Sequence, residues 1–231
     1  MPLIGAGDAQ AVVLSLRVAA TATAVGLPIA LILAYLLARG RFVGRHVLDA
    51  VINLPLVLPP VATGFALLVL FGRDGLLGAP LARIGIVLAF HWTGAALAGG
   101  VMALPLMVRP IRQAFEAIDP DLDEAARSLG AGAADRFFRI TLPLSAPGLA
   151  AGTLLGFARA LGEFGATITF AAAIPGETLT LPADIYQAAQ TPGEEPHTLV
   201  LCVIAAVIAL GAALASEALA RKFTPRGRVG L

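Results

Sequence analysis

The chain has 231 residues, 58% of them hydrophobic and only 13% charged, with a mean hydropathy of +0.87 and a formal net charge of +1. That balance describes a polytopic membrane protein and excludes a water-soluble globule. No basic run offers itself to a nucleic-acid backbone, and the single Cys202 excludes a disulfide framework.

A membrane span takes about 20 predominantly apolar residues. The N-terminal MPLIGAGDAQ lacks a basic stretch, and the apolar run after it is too long for a signal core, so residues 12–38 read as a retained first span. Arg17 is its one charge, near the start, where it can snorkel to the interface. Arg39, Arg41 and Arg45 follow, and residues 47–71 form the second span. Its NLPLVLPP run contains Pro55, Pro59 and Pro60, which predict a kink or a locally unwound turn. Irregular backbone at membrane depth survives only against protein or a water-filled cavity, so this bend serves either packing or a pore. Asn53, Pro59 and Pro60 are therefore candidate path residues. Gly64, Gly99 and Gly100 mark close helix approach.

Residues 84–108 are predicted as the third span, with Arg109 and Arg112 at the entry of a polar loop over 109–143. Residues 142–161 make the fourth. Residues 164–173 are apolar but too short to cross again, which predicts a re-entrant or interfacial piece. Residues 175–197, with Glu177, Asp184, Glu194, Glu195 and His197, read as a polar loop. Residues 198–220 are the last span, closed by Arg221, Lys222, Arg226 and Arg228. With five spans and the first loop inside, the cytoplasmic segments hold three, five and four Lys/Arg, twelve of the sixteen. The N-terminus is then expected outside and the C-terminus in the cytoplasm.

Within the polar loop, DPDLDEAARSLGAGAADRFFRITLP reads as two short helices joined by a glycine hinge. Asp119 is placed to N-cap the first, with Pro120 at its first position and Asp121, Asp123 and Glu124 loading the positive end of its dipole. Leu122, Ala125, Ala126 and Leu129 share one face. Gly130 and Gly132 end that helix, and the second is predicted from Ala133 to just before Pro143. A helix–glycine–helix knob, apolar on one face at a membrane edge, suits a groove in another protein.

Arg159 and Glu163 stand at i and i+4 near the end of the fourth span, so their side chains can meet. Ionisable groups there cost roughly 2.5–3.5 kcal/mol each, and pairing lowers that cost. The pair is either a self-neutralising structural element or a gate on an anion path, with Thr167 a further gate candidate. His91, His46 and His197 have no spaced partners, so no metal site is legible. Lys222 is the only lysine and no G-x-x-x-x-G-K-[ST] run exists, which excludes nucleotide hydrolysis by this chain. Repeated halves or midplane acids of a secondary transporter are absent from the reading, as are the ligand clusters of a membrane enzyme.

Glu124-Ala125-Ala126, Gly130, Ile140 and Leu142-Pro143 match the EAA loop of importer-type ATP-binding-cassette (ABC) permeases at each defined position. The resemblance runs nearly the whole chain. NLPLVLPPV, LPLMVRPIRQAFEAIDP and ARALGEFGATITFAAAIPGETLTLPADIY are similar to the molybdate permeases of bacterial ABC importers, with sulfate permeases the near relatives. Ala173 stands where a polar residue such as Asn is expected. The resemblance implies an all-α, single-domain type I importer permease of about five spans in the bacterial inner membrane. It implies that residues 124–126, 130, 140, 142 and 143 form the ATPase-coupling loop, in a homodimer with two cytoplasmic ATPase subunits and a periplasmic oxyanion-binding protein. It also implies a non-enzymatic subunit that binds no cofactor, ATP and Mg belonging to the partner ATPase.

Overall fold

The computed structural model describes the backbone of residues 5–223, and among these every regular element is helical. In chain order the helices are α1 (Ala6–Arg39), α2 (Arg45–Val57), α3 (Pro60–Phe71), α4 (Gly78–Arg83) and α5 (Trp92–Glu116). The loop contributes α6 (Pro120–Ser128), α7 (Ala133–Arg136), a π turn (Phe137–Thr141) and α8 (Leu142–Leu144). Then come α9 (Ala146–Leu161), α10 (Gly165–Phe170), α11 (Leu181–Ala189) and α12 (Glu195–Phe223). Three helices are long and apolar enough to cross a membrane, and two bent helix pairs bring the number to five if each is one span.

The centre of the subunit is α5, packed between α1 and α9. Small residues set that packing. A Cβ on Gly152 would fall 2.8 Å from the Met107 carbonyl oxygen, and one on Gly156 would strike the Met107 side chain. Ala19, Ala22, Ala30, Ala34, Met107, Ile111 and Phe115 fill the space between these helices and are buried. In lipid, where tails are as apolar as leucine, close backbone approach of this kind is what holds helices together.

The expected break in the second span is present, and four other expected boundaries differ. The second span is two helices, of 13 and 12 residues, meeting at 115°. Pro59 and Pro60 end one helix and begin the other, with Pro60 at the first helical position where its missing N–H costs nothing. The third helix starts at Trp92 rather than residue 84, because Gly85 and Phe90 have positive φ and His91 caps the helix. It also runs on to Glu116, so Arg109 and Arg112 lie inside it and not in a loop. The loop's second helix does not stop before Pro143. It passes through the π turn to Leu144 and bends by 68° into α9, whose first residue is Ala146. Residues 175–197 are not a simple polar loop: they contain α11 and the first turn of α12, and His197 is helical.

Candidate functional site

The loop expected to carry coupling is built as its sequence dictates. Asp119 Oδ1 accepts from the Asp121 N–H at 3.0 Å and caps α6. At the other end Gly130 has φ +86°, its N–H donates to the Arg127 carbonyl, and the Ala131 N–H reaches back to Ala126, both at 3.0 Å. This is a Schellman closure, and it needs the left-handed residue that glycine supplies. Glu124 is largely exposed and forms an ion pair with Arg127 at 4.0 Å. Leu122 and Leu129 are 48% and 88% exposed, so the apolar stripe expected on α6 exists and has no cover within the subunit.

Behind that stripe the loop is braced. Arg136 donates to Asp123 at 2.8 Å and to the Ala131 carbonyl at 2.9 Å, joining α7 to α6. Phe137 meets Tyr35 of α1, and Tyr35 also meets Phe115 of α5, both edge to face. Arg39 donates to the Ile118 carbonyl at 3.3 Å. A polar cavity of about 140 Å³ lies between Tyr35, Arg39, Asp123, Arg136 and Ile140. Ile140 and Leu142 are half-buried, and Pro143 is exposed.

At the opposite end of α9, Arg159 Nη1 pairs with Glu163 Oε2, and Glu163 is 3% exposed. Glu163 Oε1 accepts from the Ala166 N–H at 2.8 Å, so the carboxylate closes the α9–α10 junction from inside. The six-residue α10 is seated tightly on α3: a Cβ on Gly64 would lie 2.5 Å from the Ala166 carbonyl oxygen, and one on Gly165 2.8 Å from Pro60. Thr167, in α10, is buried at 2%, and the exposed Pro60 abuts Gly165 at the junction that Glu163 closes.

Asn53 belongs elsewhere, in a polar ladder between α2 and α5. Its amide donates to the Asp49 carbonyl and carboxylate at 2.7 and 3.0 Å, and its Oδ1 accepts from Arg109 Nη2 and Nε at 2.8 and 3.0 Å. Arg112 bridges Asp49 at 3.1 Å and Glu116 at 2.8 Å, and Arg45 stands 3.6 Å from Glu116. The reading of the sequence missed Asp49 and Glu116. Their signal was the spacing: Arg45, Asp49 and Asn53 recur every four residues, and Arg109, Arg112 and Glu116 fall at i, i+3 and i+7.

On the far side, Arg17 stacks over Trp92, 3.8 Å from the ring centroid. His197 Nε2 meets Asp8 Oδ1 at 3.1 Å and ties the start of α12 to the start of α1. Burial, aided by the neighbouring Asp8 charge, raises the Asp184 carboxyl above its ordinary range. Among the described residues no cluster has the make-up of a metal site.

Residues 26–229 match the family described as binding-protein-dependent transport system inner membrane component. The chain belongs to this family. It is 53% identical over 213 residues to the molybdenum transport system permease protein ModB of Escherichia coli K12, covering 92% of this chain and 93% of that one. It is 40% identical over 148 residues to the sulfate transport system permease protein CysT of Escherichia coli K12, covering 64% of this chain and 53% of that one. The fold matches the crystal structure of a bacterial ABC transporter that imports the acidic polysaccharide alginate, with a TM-score of 0.77, 19% identity, and coverage of 96% and 82%. The permease reading thus holds, in a family of inner-membrane importer components.

Proposed function

We propose that this chain is the membrane-spanning subunit of a molybdate importer, working as a homodimer with two cytoplasmic ATPase subunits and a periplasmic oxyanion-binding protein. The observation that carries the reading is the braced loop with its uncovered Leu122–Leu129 face, on a chain 53% identical to a molybdenum permease. A rigid helix displaying an unsatisfied apolar stripe fits a groove on the ATPase. ATP and Mg sit on that partner, which closes and opens the permease pair by pushing on α6.

The direction of α1 supports the expected orientation. Asp8 lies at one end of it and Tyr35 and Arg39, which hold the coupling loop, at the other. The N-terminus therefore lies across the membrane from the ATPase. The helix α12 starts beside Asp8 and runs back, which brings the C-terminus to the cytoplasmic side.

The test is co-purification with the ATPase, then molybdate-stimulated ATP hydrolysis and uptake in vesicles with loaded binding protein. Uptake of molybdate dependent on all three components supports the reading. Uptake driven only by sulfate-loaded binding protein would assign the chain to the sulfate branch, and hydrolysis indifferent to any oxyanion would overturn it.

A further inference from the structure

We infer that Arg109, presented by Asn53, is an oxyanion contact at the inner end of the translocation path, an inference that rests on the anion-importer reading above. Along the α2–α5 ladder each carboxylate is already engaged. Glu116 holds Arg112 and lies near Arg45, and Asp49 holds Arg112 on one oxygen and the Asn53 amide on the other. That last contact fixes which end of the amide faces Arg109. Nε and Nη2 of Arg109 both donate to the neutral Oδ1 of Asn53, and among the described residues no carboxylate pairs with this guanidinium. The ladder thus neutralises Arg112 and leaves Arg109 oriented, exposed and positive.

Its depth makes this informative. Arg109 follows Trp92 by seventeen helical residues, about 26 Å at 1.5 Å per residue, against a hydrocarbon core of about 30 Å. An uncompensated guanidinium at that level cannot rest against lipid tails. It needs water and an anion, and its free N–H groups fit two oxygens of a tetrahedral oxyanion. Such a group comes either from the transported dianion or from an anionic lipid headgroup at the inner leaflet.

Asn53→Asp separates this role from a brace. The substitution gives Arg109 a counter-charge, but it exchanges the Nδ2 donor for an oxygen facing Asp49. It is therefore made together with Asp49→Asn, whose amide supplies a donor toward position 53 and leaves the total charge of the ladder unchanged. A mere brace would then keep uptake per complex, while an anion contact would be quenched. The assay uses the complete complex in vesicles of zwitterionic or of mixed anionic lipid, reading molybdate uptake per assembled complex. Asn53→Asp combined with Asp49→Asn is expected to lower uptake per assembled complex about tenfold in both lipids. Arg109→Cys in a Cys202→Ser background should show the same loss, reversed by a cationic methanethiosulfonate and not by a neutral one of similar size. A loss confined to vesicles with anionic lipid would assign the contact to an anionic lipid headgroup. Parent-level uptake per complex by the Asn53→Asp, Asp49→Asn double variant, or rescue of Arg109→Cys by the neutral reagent, overturns the inference and leaves a structural ladder. The parent complex reports on the function separately: if it imports sulfate instead, the same variants are read with sulfate, and if it imports neither, both readings fall.

Discussion

Phe137 of the coupling loop meets Tyr35 of α1 with ring centroids 5.4 Å apart and planes at 90°. The contact sits at the start of the π turn, where the backbone leaves regular helix between α7 and α9. Edge-to-face pairs contribute about 0.5–1.5 kcal/mol beyond their buried area. Phe137→Ala should therefore leave the complex assembled but loosen the loop from α1. The expected result is oxyanion-stimulated hydrolysis reduced toward the basal rate with unchanged ATPase binding; equal stimulation in parent and variant would remove the joint from the coupling route.

Gly130→Val places a β-branched residue at φ +86°, a region such residues rarely adopt. The Schellman closure opens and α6 is misplaced while the spans stay intact. Uptake is expected to fall by at least about tenfold at equal membrane abundance, measured as transport normalised to permease. Normal uptake by this variant would count directly against α6 as the docking helix.

Gly64→Ala forces a methyl group to within 2.5 Å of the Ala166 carbonyl oxygen and 2.9 Å of Thr169 Cβ. Both helices must separate, and overpacking of this kind costs about 1–3 kcal/mol. A lower melting temperature of the purified subunit is expected, and Gly99→Ala, where the nearest atom would be 3.5 Å away, should cost far less.

Arg159→Ala leaves Glu163 buried without its counter-charge, a change that costs about 3–5 kcal/mol in a buried pair. Membrane abundance should drop, and Arg159→Ala combined with Glu163→Gln should regain it with uptake per complex near the parent value. A double variant that assembles normally yet imports slowly would instead put the partly exposed Arg159 on the anion path.

Cysteines at Gly5 and Gly193, both exposed, should label from the periplasmic side in a Cys202→Ser background. Labelling of the Gly5→Cys variant only from the cytoplasm would invert the chain. The matching cytoplasmic probe, Gly227, lies outside the described residues.

Capping and turn chemistry are local, so the coupling loop was legible before any fold was known. Asp119, Pro120 and Gly130 act within a few residues of themselves, and the structure places each as its chemistry requires. Hydropathy likewise located the spans, and proline located the break in the second. What hydropathy misplaced were the ends of α5. Arg109, Arg112 and Glu116 look like the end of a span because they are charged, yet the helix continues through them since Asn53 and Asp49 on α2 supply their partners.

The sequence by itself thus determined an all-helical membrane protein, its apolar candidate spans and its helix–glycine–helix loop, because each follows from residues near one another along the chain. Only the tertiary structure decided that Asn53 faces Arg109 across 56 residues, that Tyr35 holds Phe137, and that Glu163 is turned inward onto α10. Those contacts depend on which helix faces pack together. Glycine and alanine at the α5 interfaces set that choice through backbone approach, and no single stretch of sequence displays it.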